Sequence, residues 1–154
     1  MARTKFPVEI LSPEGEVWSG EVEMVSTRTS VGSIGLLANH EPVLAMLDPV
    51  ELRLYESESE VLRFAQGEGY LQVGDNRALL LVEEAHRPEE LDAGELREKL
   101  KRAEQEAESA DEDSEAAAKA SRDKRRWETF LAIAESRTLG SRRLRADCSA
   151  MRAF

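Results

Sequence analysis

The hydrophobic period of this chain changes once, at Arg87-Pro88, and that single change limits what it can fold into. Upstream, apolar residues alternate with polar ones or come in short runs, the period of strands; downstream they recur at steps of three and four, the period of an amphipathic helix. Strands grouped first and helices grouped after lead to an α+β fold, mostly β, rather than to alternating βαβ units. At 154 residues the chain is long enough to bury a core without disulfide or metal staples.

In the first part the turns come at strand-like spacing. Phe6, Val8 and Ile10 alternate, and Ser12-Pro13-Glu14-Gly15 reads as a turn. Val17-Trp18 resumes a strand that Gly20 interrupts, and Val22 and Met24 are expected on one face with Glu21 and Glu23 on the other. Leu52 and Leu54 alternate before the acidic stretch Glu56-Ser57-Glu58-Ser59-Glu60, after which Val61-Leu62-Arg63-Phe64 returns as a hairpin partner. Leu71 and Val73 form another strand, Gly74-Asp75-Asn76 is a turn signal, and the run from Ala78 to Val82 is apolar enough to be buried on both faces. Many short strands with such turns predict a β-sandwich over residues 1–87.

Residues 88–137 read as an antiparallel helical hairpin. Asp92 stands at the N-cap with Glu95 three positions on, and Leu96, Leu100, Ala103, Ala107 and Ala110 share one face. Asp111-Glu112-Asp113-Ser114 breaks that helix and caps a second, running from about Glu115 to Arg137, with Ala116, Ala120, Trp127, Leu131 and Ala134 on its seam. The seam is mostly alanine. A buried methyl contributes about 0.8 kcal/mol, against about 1–2 kcal/mol for ordering each residue's backbone. Such helices are built from good helix formers, so they persist if parted. Periodicity does not separate a static exposed hairpin from one that detaches. From 138 to 154 the chain is basic and without usable periodicity, and it is expected to form a flexible tail, either a solvated extension or an added contact with acidic surfaces.

Charge and composition exclude several function classes. Six basic residues meet fifteen acidic ones in residues 1–86, ten meet fifteen in 87–136, and five meet one in 137–154, for a total of −10. Non-specific binding of nucleic acid by the whole chain is thereby disfavoured. Cys148 has no internal disulfide partner, and one Cys with two His cannot make the usual four-ligand Cys/His zinc site. No apolar run approaches the ~20 residues of a membrane span, and Met1-Ala2-Arg3-Thr4-Lys5 leads into a strand rather than a signal-peptide core. A soluble protein in a reducing compartment, or one held to a membrane complex by partners, fits. His40 and His86 are the only histidines, and no nucleophile elbow, P-loop or dinucleotide fingerprint is present, so no catalytic residue and no cofactor are expected.

The segment from Val31 to Leu44, dense in glycine and apolar residues beside His40 and Pro42, reads as a shaped loop offered to a partner. Here the chain resembles the epsilon subunit of F-type ATP synthases, a family that includes the chloroplast epsilon and mitochondrial delta subunits. Three stretches carry the likeness: Val8 to Gly15 with Trp18-Ser19-Gly20; Gly32 to Leu47 with Pro49; and Gly67 to Ala85 with Gly69, Tyr70, Val73, Asn76 and Leu79-Leu80-Leu81-Val82. With the hairpin that follows, it covers about residues 5–136. The resemblance implies a non-catalytic rotor subunit at the cytoplasmic face of a bacterial membrane. Its sandwich would dock on the gamma subunit and the c-ring, and its helices would extend transiently into the catalytic α/β hexamer and hinder ATP hydrolysis. Under that implication Ile34, Gly35, Leu36, His40, Glu41 and Pro42 are interface candidates, and Arg122, Lys124, Arg125 and Arg126 are candidates to meet acidic groups of the hexamer. His40 is equally readable as a loop histidine bonded to its own backbone.

Three departures from the family pattern bear on detail. Pro49-Val50 stands where Pro-Gly is frequent, and Glu68-Gly69 where Gly-Gly is frequent. In members that bind ATP, an arginine and an alanine follow Ile/Leu-Asp-x-x, whereas Leu91-Asp92-Ala93-Gly94 is followed by Glu95-Leu96, a carboxylate where phosphate would need a cation. The alternative of a nucleotide-responsive module whose hairpin closes on ATP is the less favoured reading for that reason, and a hydrolase using Glu or Asp is more distant still.

Overall fold

The computed structural model describes residues 3–151, with side chains as far as Arg137. The chain divides into two compact units between Arg87 and Pro88.

The first unit contains ten strands among the described residues: β1 (Phe6–Ser12), β2 (Gly15–Val22), β3 (Met24–Thr29), β4 (Gly32–Leu37), β5 (Val43–Leu47), β6 (Val50–Tyr55), β7 (Val61–Gln66), β8 (Gly69–Gly74), β9 (Arg77–Val82) and β10 (Ala85–His86). They hydrogen-bond in the order β10-β7-β6-β3-β5-β8-β9-β1-β2, with β4 on β3, and close into the expected sandwich. All the pairings are antiparallel except β1 with β9, where Val8 lies beside Ala78. The core collects the inward residues of the strands, among them Val8, Ile10, Leu52, Leu54, Phe64 and Leu71. One buried polar link crosses it: Thr27 Oγ1 donates to Gln66 Oε1 at 2.8 Å, and Gln66 Nε2 donates to the Asp48 carbonyl at 3.1 Å, so the amide is satisfied at both ends.

The structure corrects several local expectations. Gly20 does not interrupt a strand; β2 runs through it, and a Cβ there would stand 2.8 Å from the Trp18 indole, so the glycine makes room for the ring. Val22 and Met24 do not share a face of one strand, because the chain leaves β2 after Val22 and enters β3 at Met24, burying Glu23 at the bend. Strand β9 is not covered on both faces: Ala78, Leu80 and Val82 are buried, whereas Leu81 is exposed. The segment from 31 to 44 is not one loop but strand β4, a short connector at 38–42, and the start of β5.

The second unit holds a 3-10 turn at Pro88–Glu90 and two helices, α1 (Ala93–Ser109) and α2 (Glu115–Met151). Asp92 caps α1, its Oδ1 accepting from the amides of Gly94 and Glu95 at 2.9 and 3.2 Å. Ser114 caps α2 by accepting from Ala117 N at 3.1 Å. On α1 the expected face is right, with Leu96 and Ala103 buried. On α2 it is partly rotated: Ala116 is exposed, and the buried residues are Ala120, Phe130, Ile133 and Ala134. The seam therefore contains large side chains as well as methyl groups.

Helix α2 spans 37 residues against 17 for α1. It continues through Met151, past the point where an aperiodic tail was expected, because Leu, Arg and Ala sustain a helix and a lone Gly140 costs only about 1 kcal/mol. The basic side chains expected of residues 138–154 lie outside the described ones.

Candidate docking surfaces

The six residues singled out around the connector do not form one surface. Ile34 and Leu36 point inward from β4; Leu36 is fully buried and Ile34 packs against the core, so neither is an exposed contact. Their inward direction follows from pairing with Thr27 and Val25 on β3, both buried. Gly35, between them, faces outward. His40, Glu41 and Pro42 sit together in the connector, with Glu41 and Pro42 exposed and His40 half-buried.

That connector is pinned by a turn on another hairpin. Asp75 and Asn76 have φ of 49° and 57°, and Gly74 pairs with Arg77 around them, which makes a two-residue type I′ turn between β8 and β9. The Asn76 side chain accepts from the Asn39 amide at 2.7 Å, and Asn39 itself has φ of 60°. His40 Nδ1 donates to the carbonyl of the next residue, Glu41, at 2.7 Å, a bond local to the connector. Asn76→Gly keeps the positive φ accessible and removes only the tether. It is expected to speed exchange of the Asn39 amide severalfold with little change in melting temperature; unchanged exchange would show that the tether carries nothing.

A second surface was not anticipated. On the outer face of β5, β8 and β9, Met46 lies opposite Tyr70 and Tyr70 opposite Leu81, forming a cross-strand row. Leu44 follows on the same face of β5. Exposure is 77% for Leu44, 57% for Met46, 54% for Tyr70 and 42% for Leu81. The continuous apolar run Val43-Leu44-Ala45-Met46-Leu47 carried the signal, since a strand apolar on both faces expects cover on both.

The outer face of β6 and β7 is different in kind. There Arg53 Nε donates to Glu51 Oε1 at 2.8 Å and Arg63 stands 3.9 Å from the same oxygen. The hydrogen bond that Arg53 donates to Glu51 is the main reason its pKa is raised above the ordinary value. One face is thus charged and internally paired, the other apolar and open to solvent.

The four candidate cations of α2 differ in exposure. Arg122 and Arg125 are exposed. Lys124 stands 4.0 Å from Glu128, and Arg126 donates to Asp123 Oδ1 at 2.9 Å while its guanidinium lies 4.2 Å from the centre of the Trp127 ring. Asp92 is committed to the cap of α1, and Glu95 pairs with Lys99 at 3.1 Å. Among the described residues no cluster of His, Cys, Asp and Glu could hold a metal ion, and no helix is long and apolar enough to cross a membrane.

Residues 5–88 match the profile of the ATP synthase delta/epsilon chain β-sandwich domain. The ATP synthase epsilon chain of Dichelobacter nodosus is 36% identical over 101 residues, covering 66% of this chain and 71% of that one. That of Streptomyces avermitilis is 34% identical over 105 residues, covering 68% and 85%, and that of Priestia megaterium 37% over 106 residues, covering 69% and 78%. Among solved structures, a chain of the Euglena gracilis mitochondrial ATP synthase assembly of OSCP, F1 and c-ring superposes with a TM-score of 0.72 at 22% identity, over 83% of this chain and 80% of that one. A chain of the Tetrahymena thermophila central stalk and c-ring does so with a TM-score of 0.57 at 20% identity, over 87% and 99%. At those identities the structures speak for the fold. The sequence match covers more than half of the chain and the epsilon relatives agree with it, so the chain belongs to the ATP synthase delta/epsilon chain family.

Proposed function

We propose that this chain is a non-catalytic central-stalk subunit of an F-type ATP synthase, whose sandwich joins the gamma subunit to the c-ring and whose helical hairpin restrains ATP hydrolysis. The observation that carries the docking half is the exposed row Met46, Tyr70 and Leu81 with Leu44 beside it. Covering a large apolar side chain contributes about 1.5–3 kcal/mol, and an exposed patch of this kind on a folded unit marks a partner site. Gamma is the occupant proposed for it, while the connector His40, Glu41 and Pro42, at the end of the sandwich, is assigned to the c-ring. The solved neighbours come from assemblies of F1 with the c-ring and of the central stalk with the c-ring, which supports that pairing of partners. The chain would then sit at the cytoplasmic face of a bacterial membrane through its complex.

For the hairpin, the exposed Arg122 and Arg125 are the groups proposed to meet acidic side chains of the α/β hexamer. The docking half is tested by titrating gamma with the full chain and with Met46→Glu/Tyr70→Asp. The double variant is expected to lower affinity at least tenfold, about 1.4 kcal/mol or more, without changing the melting temperature, because both side chains already face water. Undiminished binding would remove gamma from this face. In the reconstituted hexamer, Arg122→Glu/Arg125→Glu is expected to relieve inhibition of hydrolysis while gamma binding persists; unchanged inhibition would sink the hairpin half.

A further inference from the structure

We propose that Trp127 is the latch of the helical hairpin, holding α1 to α2 through the ammonium of Lys99. The indole belongs to α2, and Lys99 Nζ of α1 lies 4.9 Å from its ring centre. The same ring carries the Arg126 guanidinium at 4.2 Å. Two cations at one aromatic ring repel each other, and each has a carboxylate beside it: Glu95 at 3.1 Å from Lys99, and Asp123 at 2.9 Å from Arg126. The ring is fixed in turn by an edge-to-face contact with the buried Phe130, with centroids 6.0 Å apart at 78°.

Five side chains therefore form one relay, Glu95-Lys99-Trp127-Arg126-Asp123, of which the Lys99 to Trp127 contact is the step that spans the two helices. Arg126 and Asp123 are three apart on one helix, as Glu95 and Lys99 are four apart on the other, so parting the helices leaves both of those pairs intact. What breaks is the ammonium on the indole face, together with the exposed ion pair of Arg97 with Glu135 at 3.0 Å, a surface contact of small worth. A second consequence rests on the proposed inhibitory role of α2: while the latch is closed, α2 is kept from extending toward an acidic partner.

The test is a double-substitution cycle in the full chain, read by hydrogen exchange of the α1 amides. Lys99→Gln keeps the stem and removes the charge; it is expected to speed exchange about three- to fivefold, the range of a partly exposed cation–π contact. Lys99→Arg restores protection. In a Trp127→Leu background, which keeps apolar bulk without a π face, the effect of Lys99→Gln falls below about twofold, the residue of the surface pair with Glu95. Equal effects in both backgrounds, or failure of Lys99→Arg to restore protection, would overturn the latch, and the Lys99 comparison stands even if Trp127→Leu does not fold. Reconstituted hydrolysis supplies the second readout: Trp127→Leu is expected to strengthen inhibition severalfold. A non-additive cycle with unchanged hydrolysis keeps the latch and removes the inhibitory role, whereas an additive cycle removes the latch whatever hydrolysis does.

Discussion

Gly69→Ala is expected to unfold the sandwich or to destabilise it by more than about 3 kcal/mol, beyond the ordinary cost of overpacking. Gly69 opens β8 and pairs with Val82 on β9. A Cβ at this position would overlap the Leu81 carbonyl oxygen, far inside van der Waals contact, and stand 2.8 Å from the Val82 Cα. These are backbone atoms, so no rotamer change relieves the clash; β8 and β9 would have to separate. They are neighbours near the middle of the strand order, between β5 and β1, and carry Leu71, Val73, Leu80 and Val82 into the core. Gly20→Ala provides the contrast. There the clash is with the far end of the Trp18 side chain, which can move. Chemical denaturation of the two full-length variants checks the difference, and a Gly69→Ala protein as stable as Gly20→Ala would refute this account of the β8–β9 approach.

Phe130→Ala carries the second large effect, about 3–5 kcal/mol from the transfer and cavity terms together. Phe130 is the largest fully buried side chain of the helical unit, and it also steadies Trp127. The other buried apolar side chains among the described residues of that unit are few: Leu96, Ile133 and Pro88 besides Ala103, Ala120 and Ala134. A hairpin with so little apolar volume has no reserve against losing an aromatic ring. The expected result is loss of amide protection throughout α1, with the strands serving as internal reference, and a helix signal by circular dichroism that falls much less than the protection does. Good intrinsic helix formers explain that gap, since parted helices keep part of their structure. Protection in α1 that survives Phe130→Ala would mean that alanine packing alone holds the helices.

That prediction differs from what the sequence alone suggests, and the reason lies in the phase of α2. Ala116, Ala120, Trp127, Leu131 and Ala134 fit an apolar stripe, yet Phe130 and Ile133 fit another displaced by part of a turn. A helix with Lys124, Arg125 and Arg126 in its middle presents two candidate faces, and periodicity weighs them about equally. On α1 no such ambiguity arises: Leu96, Leu100 and Ala103 are flanked by charges on every other side, and the structure buries Leu96 and Ala103 as expected. The β6–β7 hairpin was legible for the same reason, because Leu52 and Leu54 alternate with charged residues and meet Phe64 and Leu62 in register. The α1 cap at Asp92 was legible too, since capping is a matter of three adjacent residues.

Of the candidate site, the residues around the connector were found but their directions were not. Ile34 and Leu36 look like offered apolar groups beside glycine, and only the pairing of β4 with β3 turns them inward. Leu81 sat in a run that read as buried and Leu44 in the segment that read as an offered loop, and the exposed row they make with Met46 and Tyr70 appears only when β5, β8 and β9 are set side by side.

What the amino-acid sequence settled by itself is the division into a strand unit and a helix unit and the position of most turns and caps. These depend on the spacing of residues within a few positions of one another, and the two periods differ enough to be read locally. The tertiary structure alone decided which apolar faces are covered and which remain open, and which aromatic ring meets which cation. Burial is a property of the neighbour across the sheet or across the hairpin, brought there from tens of residues away: Leu80 is core and Leu81 is surface because they face opposite sides of β9 and only one side is packed into the sandwich core, and Lys99 meets Trp127 because α2 folds back along α1.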